Sequence, residues 1–218
     1  MTSSVRAPGE ESQARRIARQ KRTELLDAAV AELLETGWRG LQMQAVATRV
    51  GVSRQTVYNT FGSRDGLAGA MVEHLTDSFL DGFEEAFAGA AGGSVAAGVE
   101  AGVRYALSRA SGDPALRAML GLDADQPFLE LLTSGSAPIV TRTRERIPAW
   151  LSGRHPELDP ARLTQVAELL ARLTLSEIVQ PVQDADAAAA AVTEMVTGYL
   201  GITAPHTIVA PASVAAAS

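Results

Sequence analysis

The sequence predicts an all-α fold of nine or ten helices, divided into a small N-terminal domain and a larger helical one. Three observations carry this. Apolar residues recur at helical spacing along most of the chain, and nowhere does hydrophobicity alternate between turn signals as a strand would require. Asp113-Pro114 and Asp159-Pro160 each place a capping side chain before a proline, which suits a first helical turn because that turn leaves its amides unpaired. Two short apolar-periodic segments, Met43/Val46/Ala47/Val50 and Val57/Tyr58/Phe61, flank Gly51-Val52-Ser53. There a residue free to take a positive φ precedes a hydroxyl able to cap the next helix.

In order along the chain, residues 1–14 are polar and aperiodic, with Pro8 and Gly9, and are expected to form a disordered N-terminal arm. The first helix starts near Arg15 or Arg22 and runs to Thr36. Leu25, Ala29 and Leu33 share one face beside Leu26 and Val30, and Gly37 ends it. Trp38 is expected to pack into the small domain. The second and third helices flank the Gly51 turn. Ser63 caps a fourth, which has Asp65 at its positive end and extends through Met71, Leu75, Phe79 and Phe83 to about Ala88. After the Gly92-Gly93-Ser94 break, Val95, Val99, Val103 and Ala106 mark a fifth helix to Ala110. Further helices are expected at 114–121, at 127–133 after Gln126-Pro127, and at 136–150, where Pro148 should kink or end the last turn. Helices at 160–180 and 184–200 follow, the last rich in alanine. The expected domains are residues 15–66 and 67–202, with a loose tail at 203–218 rich in Pro, Ala and Ser.

The stretch from Gln42 to Leu67 has the form of a helix-turn-helix. In that motif the second helix lies in the DNA major groove, so its outward side chains should be hydrogen-bonding groups and its inward ones apolar. Arg54, Gln55, Thr56 and Asn59 meet the first requirement, and Val57 and Phe61 the second. An ordinary helical hairpin would share the Gly turn, so the surrounding order of features matters. Leu25-Leu26-Asp27-Ala28-Ala29 and Glu35-Thr36-Gly37-Trp38 precede the turn by one helix, Tyr58 follows Gln55-Thr56-Val57, and Phe61-Gly62-Ser63-Arg64-Asp65 closes the segment. Residues 22 to 67 together resemble the DNA-binding domain of the TetR/AcrR-type transcriptional repressors. That family's pattern runs Ala-Gly-Val-Ser-x-x-Thr-Leu-Tyr-x-x-Phe-x-Ser-Lys-Glu-x-Leu. The chain also departs from the family. Val50 replaces an Ala, and Leu41 replaces a Thr that caps the second helix and touches phosphate, leaving Gln42 as the candidate donor there.

Charge divides along the same boundary. Residues 1–66 hold ten Lys/Arg against seven Asp/Glu, and residues 67–218 hold nine against eighteen, a contrast between +3 and −9 that suits two functions in one chain. Arg15, Arg16, Arg19, Lys21 and Arg22 fall close together without an acid. Immediately before a helix-turn-helix, this run reads as a phosphate- or minor-groove-contacting arm, although a solvated helix start is its bland alternative. The DNA-contacting candidates are those five together with Gln42, Ser53, Arg54, Gln55, Thr56, Tyr58, Asn59 and Arg64. Gln55, Asn59, Arg54 and Thr56 are assigned to base edges, and Tyr58 and Arg64 to phosphates.

No enzyme signature is present. The chain lacks a G-x-S-x-G elbow, an H-E-x-x-H pair and a phosphate-cradling Gly loop, and Asp123/Asp125 in a Gly- and Pro-flanked linker read as solvated caps. Zero cysteines exclude disulfides and thiolate metal sites, and His74, His155 and His206 show no ligand spacing, so neither cofactor nor metal is expected. With no run of apolar residues long enough for a membrane span or a secretory signal, the chain is expected to be cytoplasmic.

The resemblance implies that the second domain binds a small molecule and forms a homodimer on a palindromic operator. Phe79, Phe83, Tyr105, Met119, Phe128 and Trp150 are the candidate pocket lining, against the alternative that each is plain core. Arg104 and Arg172 lie in largely apolar helices, where a buried guanidinium would need an anion from Glu177, Glu100 or a ligand carboxylate. A long hydrophobic inducer with one polar or acidic end, such as a fatty acid or acyl thioester, fits that set. For the dimer contact the candidates are Leu169, Val179, Ala188, Ala191, Val192, Met195 and Tyr199. The different-class alternative is an architectural or protein-interaction helical protein that binds DNA without sequence preference.

Overall fold

Glycines and capping side chains cut the apolar periodicity into helices where the sequence places them. The computed structural model describes residues 13–90, 93–119 and 137–202, and among these it contains nine helices and no strand. They are α1 (Gln13–Gly40), α2 (Met43–Val50), α3 (Arg54–Phe61), α4 (Arg64–Ala88), α5 (Val95–Gly112), α6 (Pro114–Met119), α7 (Ala137–Arg154), α8 (Pro160–Val179) and α9 (Ala185–Leu200). Asp113 Oδ1 accepts the Ala115 and Leu116 amides, Asp159 caps α8 through the Ala161 amide, and Asp184 caps α9 through the Ala187 amide. The helix expected at 127–133, the tail at 203–218 and most of the N-terminal arm lie outside the described residues.

The chain packs as two compact units, Met1–Phe79 with Arg109–Arg142, and Leu80–Ser108 with Thr143–Ser218. In the first, Leu25, Leu26, Ala29 and Leu33 of α1 are buried with Val46 and Ala47 of α2, Val57 and Phe61 of α3, and Leu67 and Met71 of α4. Each fully buried Leu or Met contributes about 1.5–3 kcal/mol. Gly37, at φ 68° and ψ 174°, interrupts α1 where its end is expected, after which the chain makes one further turn to Gly40. Leu41 then enters the core instead of capping α2, and Gln42 at the N-cap makes no side-chain cap bond. Arg49 of α2 ties back to α1 through Glu32, at 2.9 Å, and through Glu35. The Trp38 indole N–H donates to the Ala118 carbonyl of α6 at 3.1 Å, so this ring is anchored as well as packed.

In the second unit, α8 buries Leu163, Val166 and Leu170, and α9 buries Ala188, Ala189, Val192 and Val196. Phe83 lies against Gly102 and Phe87 against Gly98, pairing a four-residue spacing on α4 with the same spacing on α5. A Cβ added at either glycine would come within 2.6 Å of the facing ring. The absent side chains therefore make room for the aromatic ones. Pro148 does not end α7 as expected. The helix continues to Arg154 because Ile147 and Leu151, on either side of the proline, are both buried, and that packing holds the turn despite the lost amide.

Candidate nucleic-acid interface

The turn before α3 is built by two residues. Gly51 at φ 70° is in the left-handed region, which costs glycine nothing, and Val52 N–H then bonds back to the Ala47 carbonyl. Ser53, extended at φ −73° and ψ 150°, accepts the Thr56 amide on its Oγ at 3.1 Å and lies 2.9 Å from the Thr56 hydroxyl. Val57 and Phe61 then face the core, which orients the opposite side of α3 to solvent. Arg54, Gln55 and Asn59 are exposed there, with Tyr58 half-buried beside them.

These outward groups are paired with one another along the helix. Gln55 Nε2 donates to Asn59 Oδ1 at 2.8 Å. One residue earlier, Arg54 Nη2 donates to the Tyr58 hydroxyl at 3.1 Å, and its guanidinium lies 5.1 Å from the centre of the Tyr58 ring. Together with Gly62 they line an open concavity of about 600 Å³. Gly62 was not among the candidate site residues. At φ 75° it stops α3 and sends the chain into α4, and a glycine just after the last apolar-periodic residue is the signal that marks it. From residue 36 to residue 64 the sequence holds Arg39, Arg49, Arg54 and Arg64 and no acid, so this surface is electropositive within an acidic chain.

The other DNA candidates are placed as follows. Arg15, Arg16, Arg19, Lys21 and Arg22 belong to α1 itself, so the expected arm is a helical extension over this stretch. Lys21 pairs with Glu24 at 3.2 Å, and the Arg22 guanidinium sits 4.8 Å over the Phe61 ring. Arg64 donates to the Trp38 carbonyl, which leaves further N–H groups on its fork for another acceptor.

Among the ligand candidates, the two arginines are not buried. Arg104, with 45% of its side chain exposed, bonds Asp186 at 2.5 Å and Glu100 at 2.7 Å, and those carboxylates hold its pKa above the ordinary value. Arg172 is 58% exposed and paired with Glu168 at 2.9 Å. Neither requires a ligand anion. Phe83 is buried against Gly102, Tyr105 lies over Gly82, and Trp150 meets Phe87 edge-on at 4.9 Å and carries Arg154 on its face at 4.3 Å. Phe79 is half-buried, while Phe128 and the Met119 side chain lie outside the described residues. Glu177 differs from all of these, because its Oε2 is shut from solvent with no hydrogen-bond partner among the described residues.

The dimer candidates separate by burial. Leu169, Met195 and Tyr199 are 46%, 59% and 42% exposed, with Ala191 exposed among them and Val179 half-buried. Ala188 and Val192 are instead buried inside their own unit, and so cannot present a surface to a partner.

The sequence matches the family model of bacterial regulatory proteins of the tetR family over residues 25–71, and that of the bacterial tetracyclin repressor C-terminal domain over residues 94–198. It is 29% identical over 178 residues to the HTH-type transcriptional regulator AlkX of Mycobacterium tuberculosis, covering 82% of this chain and 84% of the relative. The fold resembles the crystal structure of the TetR family repressor AlkX from a Dietzia species, implicated in biodegradation of n-alkanes. The two share 30% identity at a TM-score of 0.67, over 88% of this chain and 97% of that one. It also resembles the R. erythropolis transcriptional repressor QsdR from the TetR family at 20% identity and a TM-score of 0.59, over 86% and 98% of the two chains.

Proposed function

Because the chain belongs to the TetR family of bacterial transcriptional regulators, and is therefore a DNA-binding regulator rather than an enzyme, we propose that it is a homodimeric repressor released from its operator by a small apolar ligand. The observation that carries this is the geometry of α3. A Ser53-capped helix turns Val57 and Phe61 inward and presents Arg54, Gln55 and Asn59 together, on a helix that contains no acid. One such helix contacts few base pairs. Two-fold dimers solve this by setting recognition helices about 34–36 Å apart, or a multiple of that, on a palindromic site. Footprinting on the DNA flanking the protein's own coding region tests the proposal. A protected palindrome that Asn59→Ala no longer protects is the expected result, and equal affinity for that site and for random DNA would overturn it.

Leu169 of α8 and Met195 and Tyr199 of α9 are the surface offered to the second copy. Their exposure in a single chain, with Ala191 between them, gives an apolar face with small residues for close approach.

The inducer we propose is apolar with a hydrogen-bond-donating end, because Arg104 and Arg172 are exposed and already paired. The unsatisfied oxygen of Glu177 would repel a carboxylate and accept a bond from a hydroxyl or amine. Implication of the 30%-identical Dietzia repressor in n-alkane biodegradation supports the apolar part. Titration of 1-alkanols and fatty acids of equal length against the operator complex separates the chemistries. Release by the alcohols alone is expected, and no release by either, with unchanged thermal stability, would remove the ligand from consideration.

A further inference from the structure

The way the α3 side chains satisfy one another selects which bases they can read. We propose that this helix specifies an A·T pair in each half-site, with Gln55 as the reader of adenine, Asn59 as the residue that positions the Gln55 amide, and Arg54 withdrawn to the phosphates. This rests on α3 entering the major groove, as proposed above.

Each base shows the groove a different pattern. Guanine offers two acceptors, N7 and O6, and is matched by the two-donor fork of an arginine. Adenine offers an acceptor and a donor, N7 and the N6 amine, and is matched by one carboxamide that carries both. Cytosine offers a donor and is matched by a carboxylate. On α3 the fork is Arg54, which donates to the Tyr58 hydroxyl at 3.1 Å and lies over the Tyr58 ring. That pair ties the guanidinium to Tyr58 in the free protein, and we assign its remaining donors to backbone oxygens. No Asp or Glu occurs in α3, so the carboxylate that matches cytosine is missing there. Thr56 has its hydroxyl engaged 2.9 Å from Ser53 Oγ in the helix cap. Its methyl group is the part left for a thymine methyl.

What remains is the amide pair. Gln55 Nε2 spends one hydrogen on Asn59 Oδ1 at 2.8 Å, which fixes the plane of its amide before DNA arrives. The other hydrogen and Oε1 stay free, the donor and acceptor that adenine N7 and N6 require. The Asn59 amine keeps both of its hydrogens for an adjacent acceptor such as thymine O4. Fixing the amide in the free protein also lowers the ordering cost on binding.

Selection of binding sites from a randomised duplex library by the full-length protein tests this. The wild type should enrich a palindrome with one strongly preferred adenine per half-site. Gln55→Ala should relax that position by about 5- to 140-fold, the span expected for one bidentate base contact. Asn59→Ala should relax the same position, and the double variant should relax it no further. Gln55→Glu, which keeps the acceptor and loses the donor, should move the preference from adenine to cytosine at that position. A structural role for Gln55 would produce no such switch. Arg54→Ala should weaken binding without changing the selected sequence. If Gln55→Ala relaxes a G·C position, or if the two single variants relax different positions additively, α3 reads DNA but the A·T assignment is wrong. If the wild type enriches no site, or a site indifferent to all five variants, α3 is not the reading helix and the assignment falls with it.

Discussion

Arg142 of α7 holds Asp77 of α4 by two parallel hydrogen bonds, Nε to Oδ1 and Nη2 to Oδ2, both 2.7 Å. One turn along α7, Arg146 bonds Glu84 at 2.7 Å and also Asp81. The repeat of four residues on both helices makes a ladder that fixes their register. Arg142 and Asp77 are 45% and 33% exposed, so solvent screens them and a double-mutant cycle should give a coupling of about 0.2–1 kcal/mol that falls in 1 M salt. Burial lowers the pKa of Arg146, but its bonds to Glu84 and Asp81 outweigh that and hold it above the ordinary value. Arg146→Met strands a mostly buried carboxylate and should cost more, about 1–3 kcal/mol in urea unfolding.

The Phe83–Gly102 and Phe87–Gly98 contacts reverse the usual effect of glycine in a helix. Gly→Ala at an open helical position stabilises by about 1 kcal/mol, whereas forcing a methyl group into a packed site costs about 1–3 kcal/mol. With the facing rings only 2.6 Å from the added Cβ, the cost should win, and Gly102→Ala should lower the melting temperature. Phe83→Leu in the same background should recover part of the loss. A rise in melting temperature for Gly102→Ala alone would mean that the rings yield without strain.

These glycines show where the sequence stops being legible. Helix starts were readable because a cap acts within three residues of itself, as Ser53, Asp113, Asp159 and Asp184 do. Gly98 and Gly102 read only as lost propensity, because their reason is a pair of rings on another helix. For Arg104 and Arg172 the apolar neighbours suggested burial, yet Glu100 and Glu168 stand four residues before them. A Glu preceding an Arg by one turn marks an exposed pair. Ala188, Val192, Met195 and Tyr199 follow one another at four-, three- and four-residue spacing and so share one stripe of the helix, and only the packing within the unit, which no spacing encodes, buries the first two and leaves the last two exposed. Trp38 was readable as core, but its bond to Ala118 spans a sequence separation that no local pattern encodes.

Asp113 predicts a response to acid. Burial alone would raise its pKa, but the Arg109 guanidinium and the Leu116 and Ala115 amides more than offset this and hold it below the ordinary carboxylate value. A depressed carboxylate stabilises the fold above its unfolded pKa, and the benefit disappears as pH falls through the folded one. Asp113→Asn should therefore be less stable than wild type at pH 7 by about 0.3–1 kcal/mol, and the gap should close below about pH 4. A gap that persists unchanged to lower pH would show that the charge contributes nothing.

Exposure divides the α8 and α9 substitutions into two outcomes. Leu169→Glu and Met195→Glu place a charge on the proposed partner surface, so sedimentation should find folded monomers that fail on a palindromic site. Ala188→Glu places the charge inside the unit and should lose helical circular dichroism instead. Intact dimers in both surface variants would move the interface elsewhere.

The basic stretch of α1 decides between two ways of holding DNA. An α-helix is about 10–12 Å across with its side chains, and the minor groove is only about 6 Å wide, so a helical extension cannot enter that groove as a flexible arm would. From Gln13 the chain is helical, so the DNA contact proposed for Arg15, Arg16 and Arg19 is expected from outside the groove, at phosphates. Neutralising one phosphate changes the slope of log K against log salt by about 0.9. Arg16→Ala should therefore flatten the slope by about that amount and weaken all sequences alike. Arg22 has a second role, because its guanidinium lies over Phe61 at the end of α3. Arg22→Ala should flatten the slope similarly and also destabilise the DNA-binding unit by about 0.5–1 kcal/mol. Should Arg16→Ala instead erase a preference for A·T outside the α3 half-sites, α1 would have to unwind on DNA into an extended arm.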